Sequence, residues 1–277
     1  MAPKCIIARM TAIRRVSRID AATFAGIAML LSLAGGLSLA ARQAPPAPGV
    51  HPLSGRRFAP VMGYQGADWL ERDERVSEEE PDLALDALTI ARGSTAADVG
   101  AGSGYITVKL SERVGPTGKV YADDIQPEML ALLRARLAKA KITNVETVLG
   151  AVDDPRLPSG AVDLILMVDV YHELSEPQKM LRRMHQALTP RGRLVLLEYR
   201  KEDPSIPIKP EHKMSVADAK LEVEAEGYTL SKVDERLPRQ HILIFTLAAA
   251  PGGPPCCPPG VRADRSSVRP TDYPGGP

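Results

Sequence analysis

Asp98-Val-Gly-Ala-Gly-Ser-Gly-Tyr105 decides how this chain folds. A short apolar run, residues 95–99, leads into it, and Ile106, Leu110 and Val114 follow at helical spacing. Val120-Tyr-Ala-Asp-Asp124 then answers as a second strand ending in acid. Strand, glycine-rich turn, helix and acid-tipped strand together make a nucleoside-binding crevice at the carboxyl ends of parallel strands. Glycines at 100, 102 and 104 let the backbone turn tightly and let a ligand approach without meeting a Cβ. A carboxylate at the end of the second strand can accept hydrogen bonds from a ribose diol.

The ligand is not a dinucleotide by this reading. The third glycine of a G-x-G-x-x-G fingerprint would fall at Tyr105. Asp98, two residues before the first glycine, would also repel a pyrophosphate, whereas it suits a cationic ligand. The stretch resembles motif I, [D/E]-x-G-x-G-x-G, of the class I S-adenosylmethionine-dependent methyltransferases. A narrower resemblance, to a subgroup of methyltransferases predicted to be exported, rests on several shorter patterns. Among them are His51-Pro-Leu-Ser-Gly-Arg56, Ala67-Asp-Trp-Leu70, Val170-Tyr-His-Glu173 and Ile208-Lys-Pro-Glu-His212.

The resemblance implies S-adenosylmethionine as cofactor and assigns residues to it. Asp98 would lie near the methionine ammonium, and Gly100, Gly102 and Gly104 would bring backbone against sugar and methionine. Asp124 would accept from both ribose hydroxyls, with Asp123 the near alternative, and Ile125 would pack on adenine. Asp153 corresponds to the acid that accepts from the adenine amine. Asp154 is its rival, and a solvated turn before Pro155 is the plain alternative for both. Asp169 opens the segment to Glu173 where the family's substrate and cofactor meet. Methyl transfer is an in-line displacement on a sulfonium, so alignment is the main demand and a base is needed only for a nucleophile of high pKa. His172 has the chemistry of that base, or else a structural hydrogen-bonding role; Tyr171 and Glu173 are weaker candidates. His212 could reach the site from a proline-rich loop, while His185 and His241 read as packing or surface residues.

Along the rest of the chain, strand–helix alternation predicts an α/β, Rossmann-like doubly wound sheet. Strands are expected at 95–99, 119–122, 145–149, 162–168, 193–199, 228–237 and 241–247. The last two form a hairpin, giving a mostly parallel seven-stranded sheet with one antiparallel strand, whose order by resemblance is 3-2-1-4-5-7-6. Pro81 opens a helix closed by Gly93, and Ser215 with Asp218 makes an approximate capping box. The methyltransferase domain is expected over residues 61–248, with 61–80 as an amino-terminal extension and the Pro-rich stretch 42–60 as a linker. Residues 249–277, rich in Pro, Gly, Ser and Arg, read as disordered.

Residues 1–41 carry five basic residues ahead of an uncharged run and a Ser38-Leu-Ala40 cleavage pattern. This is a secretory signal peptide, a retained membrane anchor, or a misassigned start. The domain is therefore expected outside the cytoplasm or tethered to the membrane, and cytoplasmic if the segment is not functional. Export sits awkwardly with a cofactor made in the cytosol.

Composition narrows the partners. Net charge is +1 with acids and bases interspersed, and aromatic residues are 4%, which argues against a nucleic-acid partner and for a small-molecule or lipid-like acceptor. The domain holds no cysteine and the five histidines show no zinc-ligand spacing, so no metal is expected. The alternative to an enzyme is a binding module that keeps the fold and holds a nucleoside without turnover. Oligomeric state is not read from the sequence.

Overall fold

The computed structural model describes residues 49–249. The segment 1–41, the first part of the expected linker, the tail from 250 and Cys256-Cys257 lie outside them.

Seven strands form one sheet: β1 (Thr95–Val99), β2 (Lys119–Asp124), β3 (Val145–Leu149), β4 (Val162–Val168), β5 (Leu188–Tyr199), β6 (Tyr228–Asp234) and β7 (Gln240–Leu247). Their order is β3-β2-β1-β4-β5-β7-β6, as the resemblance implied. Strands β1 to β5 pair in parallel, and β7 runs antiparallel to both β5 and β6. The order reverses direction between β1 and β4, so their carboxyl ends diverge and leave a crevice.

The apolar runs follow from burial on both faces. In β4, Ile165 and Met167 face one core while Leu164 and Leu166 face another, and β5 alternates likewise with Leu194 and Leu196 against Val195 and Leu197. Helices α6 (Pro177–Ala187) and α7 (Val216–Glu224) cover the first face through Met180, Leu181, Met184, Ala219 and Val223. Helices α3 (Pro81–Ala87) and α4 (Tyr105–Val114) cover the second through Leu85, Ile106 and Leu110. Helix α5 (Pro127–Ala140) packs Leu130, Leu133 and Leu137 against Ala101 and Ala122. Two short helices, α1 (Ala67–Leu70) and α2 (Arg75–Glu79), precede them. Prolines open α3, α5 and α6, where a missing N–H costs nothing. The Ser215 side chain caps α7 by accepting from Asp218 N–H at 3.0 Å.

Several boundaries differ from the sequence reading. Helix α3 stops at Ala87 rather than near Gly93, because Thr89 takes a left-handed φ of 46°. β5 begins at Leu188, taking in the turn expected at 189–192, and β6 ends at Asp234 instead of 237.

The larger correction concerns residues 49–60, which are not a linker. His51, Arg56 and Ala59 are buried. Arg56 donates to Glu222 from Nε at 3.1 Å and Nη2 at 2.9 Å, and its Nη1 donates to the His172 carbonyl at 3.0 Å. Ala59 N–H donates to that same carbonyl at 3.0 Å. Prolines suggested a free segment, yet one arginine paired with a fully buried carboxylate on α7 ties it to the domain.

Candidate active site

The carboxyl ends of β1, β2, β4 and β5 surround a cavity of about 470 Å³, within the usual range for a small-ligand site. Val99, Asp124, Val168 and Tyr199 mark those strand ends in its lining. The opposite wall is the amino-terminal extension, including Met62, Trp69, Leu70, Arg72 and Glu79. The extension is held in place by hydrogen bonds. Gln126 Nε2 donates to the Met62 carbonyl at 3.0 Å, its Oε1 accepts from Tyr64 N–H at 2.9 Å, and Met62 N–H donates to Glu173 at 3.3 Å. Glu71 accepts from Ser103 Oγ and pairs with Arg136 of α5.

The three glycines do different things. Gly100 and Gly102 line the cavity with φ of 78° and 55°, in the left-handed region glycine tolerates. At Gly100 a Cβ would also overlap the Val170 side chain. Gly104 is not in the lining. It opens α4 with φ 86°, and a Cβ there would overlap Leu133 of α5. The third glycine of the motif therefore serves helix packing, not ligand approach.

The acids differ in how they are held. Asp124 lines the cavity; its Oδ2 accepts from Gly102 N–H at 2.9 Å and its Oδ1 from Gln126 N–H at 2.8 Å. Burial raises its pKa, while the backbone N–H groups pull it down. A carboxylate has about four acceptor positions, so capacity remains toward the cavity. Asp123 also lines the cavity, but its Oδ1 turns toward Gly150, where any side chain would overlap the carboxylate. Its Oδ1 is buried without a partner, and burial with Asp124 and Asp98 nearby pushes its pKa well up. Asp98 lies beneath the glycine loop, outside the lining, and accepts from Thr107 Oγ1 at 2.6 Å; burial pushes it up to about 6. Asp153 also stays out of the lining. It is half-exposed, 3.9 Å from Lys179, and Val152 faces the cavity in its place. Ile125 lines the cavity and is 37% exposed.

Beyond β4, Asp169 takes φ 54° and lines the cavity. Its Oδ2 accepts from Gln240 Nε2 at 2.7 Å, while Oδ1 is buried without a partner. Burial, reinforced by Glu79 and Glu198, pushes its pKa well up. The next residues form a single turn, residues 171–173, that sends neighbouring side chains to opposite sides. Tyr171 goes into the core, fully buried, its hydroxyl without a partner and its ring 5.6 Å from the Arg56 guanidinium. It is a packing residue, and the sequence expectation of a chemical role is corrected here.

His172 and Glu173 go the other way, into the lining. His172 Nδ1–H donates to Glu198 Oε2 at 2.6 Å, and Glu198 Oε1 accepts from Tyr171 N–H at 2.8 Å. His172 Nε2 lies 3.1 Å from His212 Nδ1. Burial pushes the His172 pKa down, but Glu198 and the acids around it more than offset this, and the net displacement is upward. His212 is displaced downward, by burial and by His172. Burial pushes Glu173 up to about 7. His51 and His241 are buried outside the cavity, and His185 packs edge-on against Tyr228. The sequence gives Glu198 no chemical role; it stands at the end of an apolar strand. Its role shows only once β5 lies beside the turn after β4.

These residues fit a nucleoside carrying a cationic amino-acid arm. A glycine backbone faces an acid at the tip of β2, and Asp169 offers a buried, unpartnered acceptor in the same cavity. Comparison with known proteins agrees. Residues 90–236, more than half of the chain, match the family model described as a methyltransferase domain. Over 120 residues the chain is 36% identical to the ubiquinone/menaquinone biosynthesis C-methyltransferase UbiE of Escherichia fergusonii, covering 43% of this chain and 48% of that protein. The same protein from Salmonella arizonae matches to the same extent. The chain thus spans about half the length of the curated relatives it matches. Among solved structures, an S-adenosylmethionine-dependent methyltransferase from Aquifex aeolicus is 29% identical, with a TM-score of 0.65 over 68% of this chain and 100% of that one. A type 11 methyltransferase from Sulfolobus solfataricus, 22% identical with a TM-score of 0.52 over 64% of this chain and 96% of that one, shares the fold. Motif, sheet order, cavity and family match converge: this chain belongs to the class I S-adenosylmethionine-dependent methyltransferases.

Proposed function

We propose that the cavity joins S-adenosylmethionine to a small, largely apolar acceptor and that the methyl group passes between them by in-line displacement. The observation that carries this is the character of the cavity mouth. Val61 and Trp69, on the amino-terminal extension and away from the residues assigned to the cofactor, line the cavity and remain 48% and 51% exposed. Exposed apolar side chains grouped around one opening mark a surface that receives an apolar ligand. The name of the UbiE relatives, which concerns quinone biosynthesis, points to the same chemical class.

When bound, the cofactor supplies an electrophilic methyl group on a sulfonium. In this reading Asp124 accepts from the ribose hydroxyls, Gly100 and Gly102 admit the sugar and methionine parts, and Ile125 packs on adenine. Asp98 supports the loop through Thr107 instead of touching the ligand, and Asp169 takes the place near the ammonium. His172, its tautomer set by Glu198, receives the acceptor's polar group and takes its proton where the nucleophile is a hydroxyl of high pKa. The amino-terminal extension closes over both ligands and excludes water.

The test is release of S-adenosylhomocysteine by the full-length protein supplied with S-adenosylmethionine and fractionated extracts of small metabolites and lipids. Turnover confined to apolar fractions is the expected result. Turnover only with nucleic acid would refute it, and tight cofactor binding with no turnover in any fraction would favour the non-catalytic module.

A further inference from the structure

No metal was expected from the histidine spacing, because His172 and His212 are forty positions apart in the chain. The fold removes that separation. His172 and Glu173 sit on the turn after β4, and His212 on the short helix Pro210–His212 in the loop after β5. One ligand atom from each of the three lies within 4.8 Å of the others, and all three side chains line the cavity.

We propose that His172 Nε2, His212 Nδ1 and a Glu173 carboxylate oxygen bind one divalent transition cation of the zinc type, whose remaining positions face the methyl acceptor. The proposal deepens the reading of this cavity as the acceptor site and rests on it. Two imidazoles and one carboxylate with open positions make the donor set of exchangeable, reactive cation sites, not of closed structural ones.

Three features of the geometry support it. Metal–nitrogen bonds of about 2.0–2.1 Å place two neighbouring nitrogens about 2.9 Å apart in an octahedral site and about 3.4 Å apart in a tetrahedral one. The observed separation, 3.1 Å, falls between them. Glu173 Oε1 is 4.0 Å from His212 Nδ1 and the three ligand atoms lie within 4.8 Å of one another, so the carboxylate must close by about 1 Å or more to complete the set. Among the described residues, Glu173 Oε1 is held by one long hydrogen bond, from Met62 N–H at 3.3 Å.

The second feature is Glu198. A ligating histidine commonly donates its other ring N–H to a carboxylate, which fixes the tautomer and raises the basicity of the ligand nitrogen. Glu198 is fully buried and takes the Nδ1 proton of His172 at 2.6 Å, leaving the Nε2 lone pair toward His212 and Glu173. The third feature is how His212 is held. Lys213 is buried and its ammonium donates to the carbonyls of Asp203 at 2.9 Å and Ile206 at 2.8 Å, folding the loop so that its neighbour faces the cavity.

A cation held there has at least one open position for an oxygen donor of the acceptor, such as a phenol, an enol or a carboxylate. It also takes His172 out of service as a proton acceptor, since a nitrogen holding a metal has no lone pair left.

Full-length protein stripped by chelation and titrated with Zn²⁺ in equilibrium dialysis should bind one equivalent at this site. Co²⁺ should give the visible absorption of a nitrogen–oxygen site, and Mg²⁺, which prefers oxygen ligands, should compete poorly. His212→Ala and Glu173→Gln should each lower Zn²⁺ affinity by more than about a hundredfold, and Glu198→Gln, acting through His172, by about 10–100-fold. S-Adenosylhomocysteine binding by calorimetry serves as the fold and cofactor control in every variant. Cofactor binding without a stoichiometric Zn²⁺ site, or Zn²⁺ binding unaffected by His212→Ala, overturns the metal proposal and leaves the methyltransferase reading standing. Loss of cofactor binding in the unmodified protein strikes at the cavity reading instead. Mg²⁺ binding as tight as Zn²⁺ would also overturn the nitrogen-ligand assignment.

Discussion

Replacing Asp124 by alanine tests the cofactor site where its geometry is most specific. The carboxylate holds two backbone N–H groups, of Gly102 at 2.9 Å and Gln126 at 2.8 Å. Leaving such buried donors unmet costs about 1–3 kcal/mol each, and hydrogen bonds to a charged acceptor from the ribose add about 1.5–3 kcal/mol. Part of the first cost appears as lost stability, because Gly102 is buried and its N–H donates to Asp124. Part appears in binding, because Gln126 also anchors Met62 of the cavity wall and, beside it, Tyr64. With about 1.4 kcal/mol per factor of ten, affinity for S-adenosylhomocysteine should fall by between about tenfold and a few hundredfold, with a lower denaturation midpoint. Asp123→Asn is the counterpart. Asp123 faces Gly150 with one oxygen unpartnered, and its pKa is raised, so ionisation in the folded state is costly. A raised carboxylate pKa means the folded state binds more protons than the unfolded one. That contribution is present in acid and lost as pH rises through the folded pKa. Asp123→Asn should therefore gain stability relative to the parent toward alkaline pH and leave cofactor affinity within about threefold, a change of under about 1 kcal/mol. Calorimetry and thermal denaturation at several pH values read both variants. If Asp123→Asn abolishes binding while Asp124→Ala spares it, the assignment of the two acids is inverted and this reasoning fails.

Tyr171→Phe should leave turnover unchanged and keep or raise the denaturation midpoint, since it removes a buried hydroxyl that has no partner; a large fall in kcat would restore the tyrosine to the chemistry. Glu222→Ala should cost about 3–5 kcal/mol in urea unfolding, because it strands the buried Arg56 guanidinium, and a negligible cost would return residues 49–60 to linker status. The acid limb of kcat/KM should lie above pH 6.5, the ordinary histidine value from which His172 is displaced upward. His172 must lose its proton to act as base or ligand, so activity falls as pH drops through that pKa, and Glu198→Gln should move the limb to lower pH. Fractionation of cells making the full chain should find the protein outside the cytoplasm or in the membrane fraction; a soluble cytoplasmic product retaining Met1 refutes the reading of residues 1–41.

The parts of this fold that a sequence can carry are those set by local pattern. Residues 95–124 encode strand, turn, helix and strand through short-range steric demands: glycines where φ is positive, apolar residues at period two in the strands and at helical spacing between them. The near-continuous apolar run of β4, broken by Asp163, announced a strand buried on both faces, and the structure divides its apolar residues between two cores. Prolines misled at residues 49–60, because proline constrains the backbone without saying whether a later arginine will find a buried partner far along the chain.

Site residues divide along the same line. That Asp124, Gly100 and Gly102 would come to one cavity was legible because the element that carries each also aims it. Asp153 and Tyr171 sat at the expected positions after their strands, yet which side of a turn a residue takes is settled by packing. Arg56 beneath Tyr171 and Lys179 beside Asp153 are contacts no spacing records. The cluster of His172, Glu173, His212 and Glu198 is the extreme case. Its members come from two loops and a strand, and the turn that buries Tyr171 is the same turn that delivers His172 to Glu198. Packing and chemistry are thus coupled at one point: the Tyr171 N–H holds one oxygen of Glu198 while His172 holds the other. A change that lets Tyr171 move will loosen the carboxylate that sets the histidine tautomer. Substitutions in the core beneath this turn should therefore disturb the acid limb of the pH profile before they disturb the affinity for cofactor, most of whose proposed contacts lie at the ends of β1 and β2.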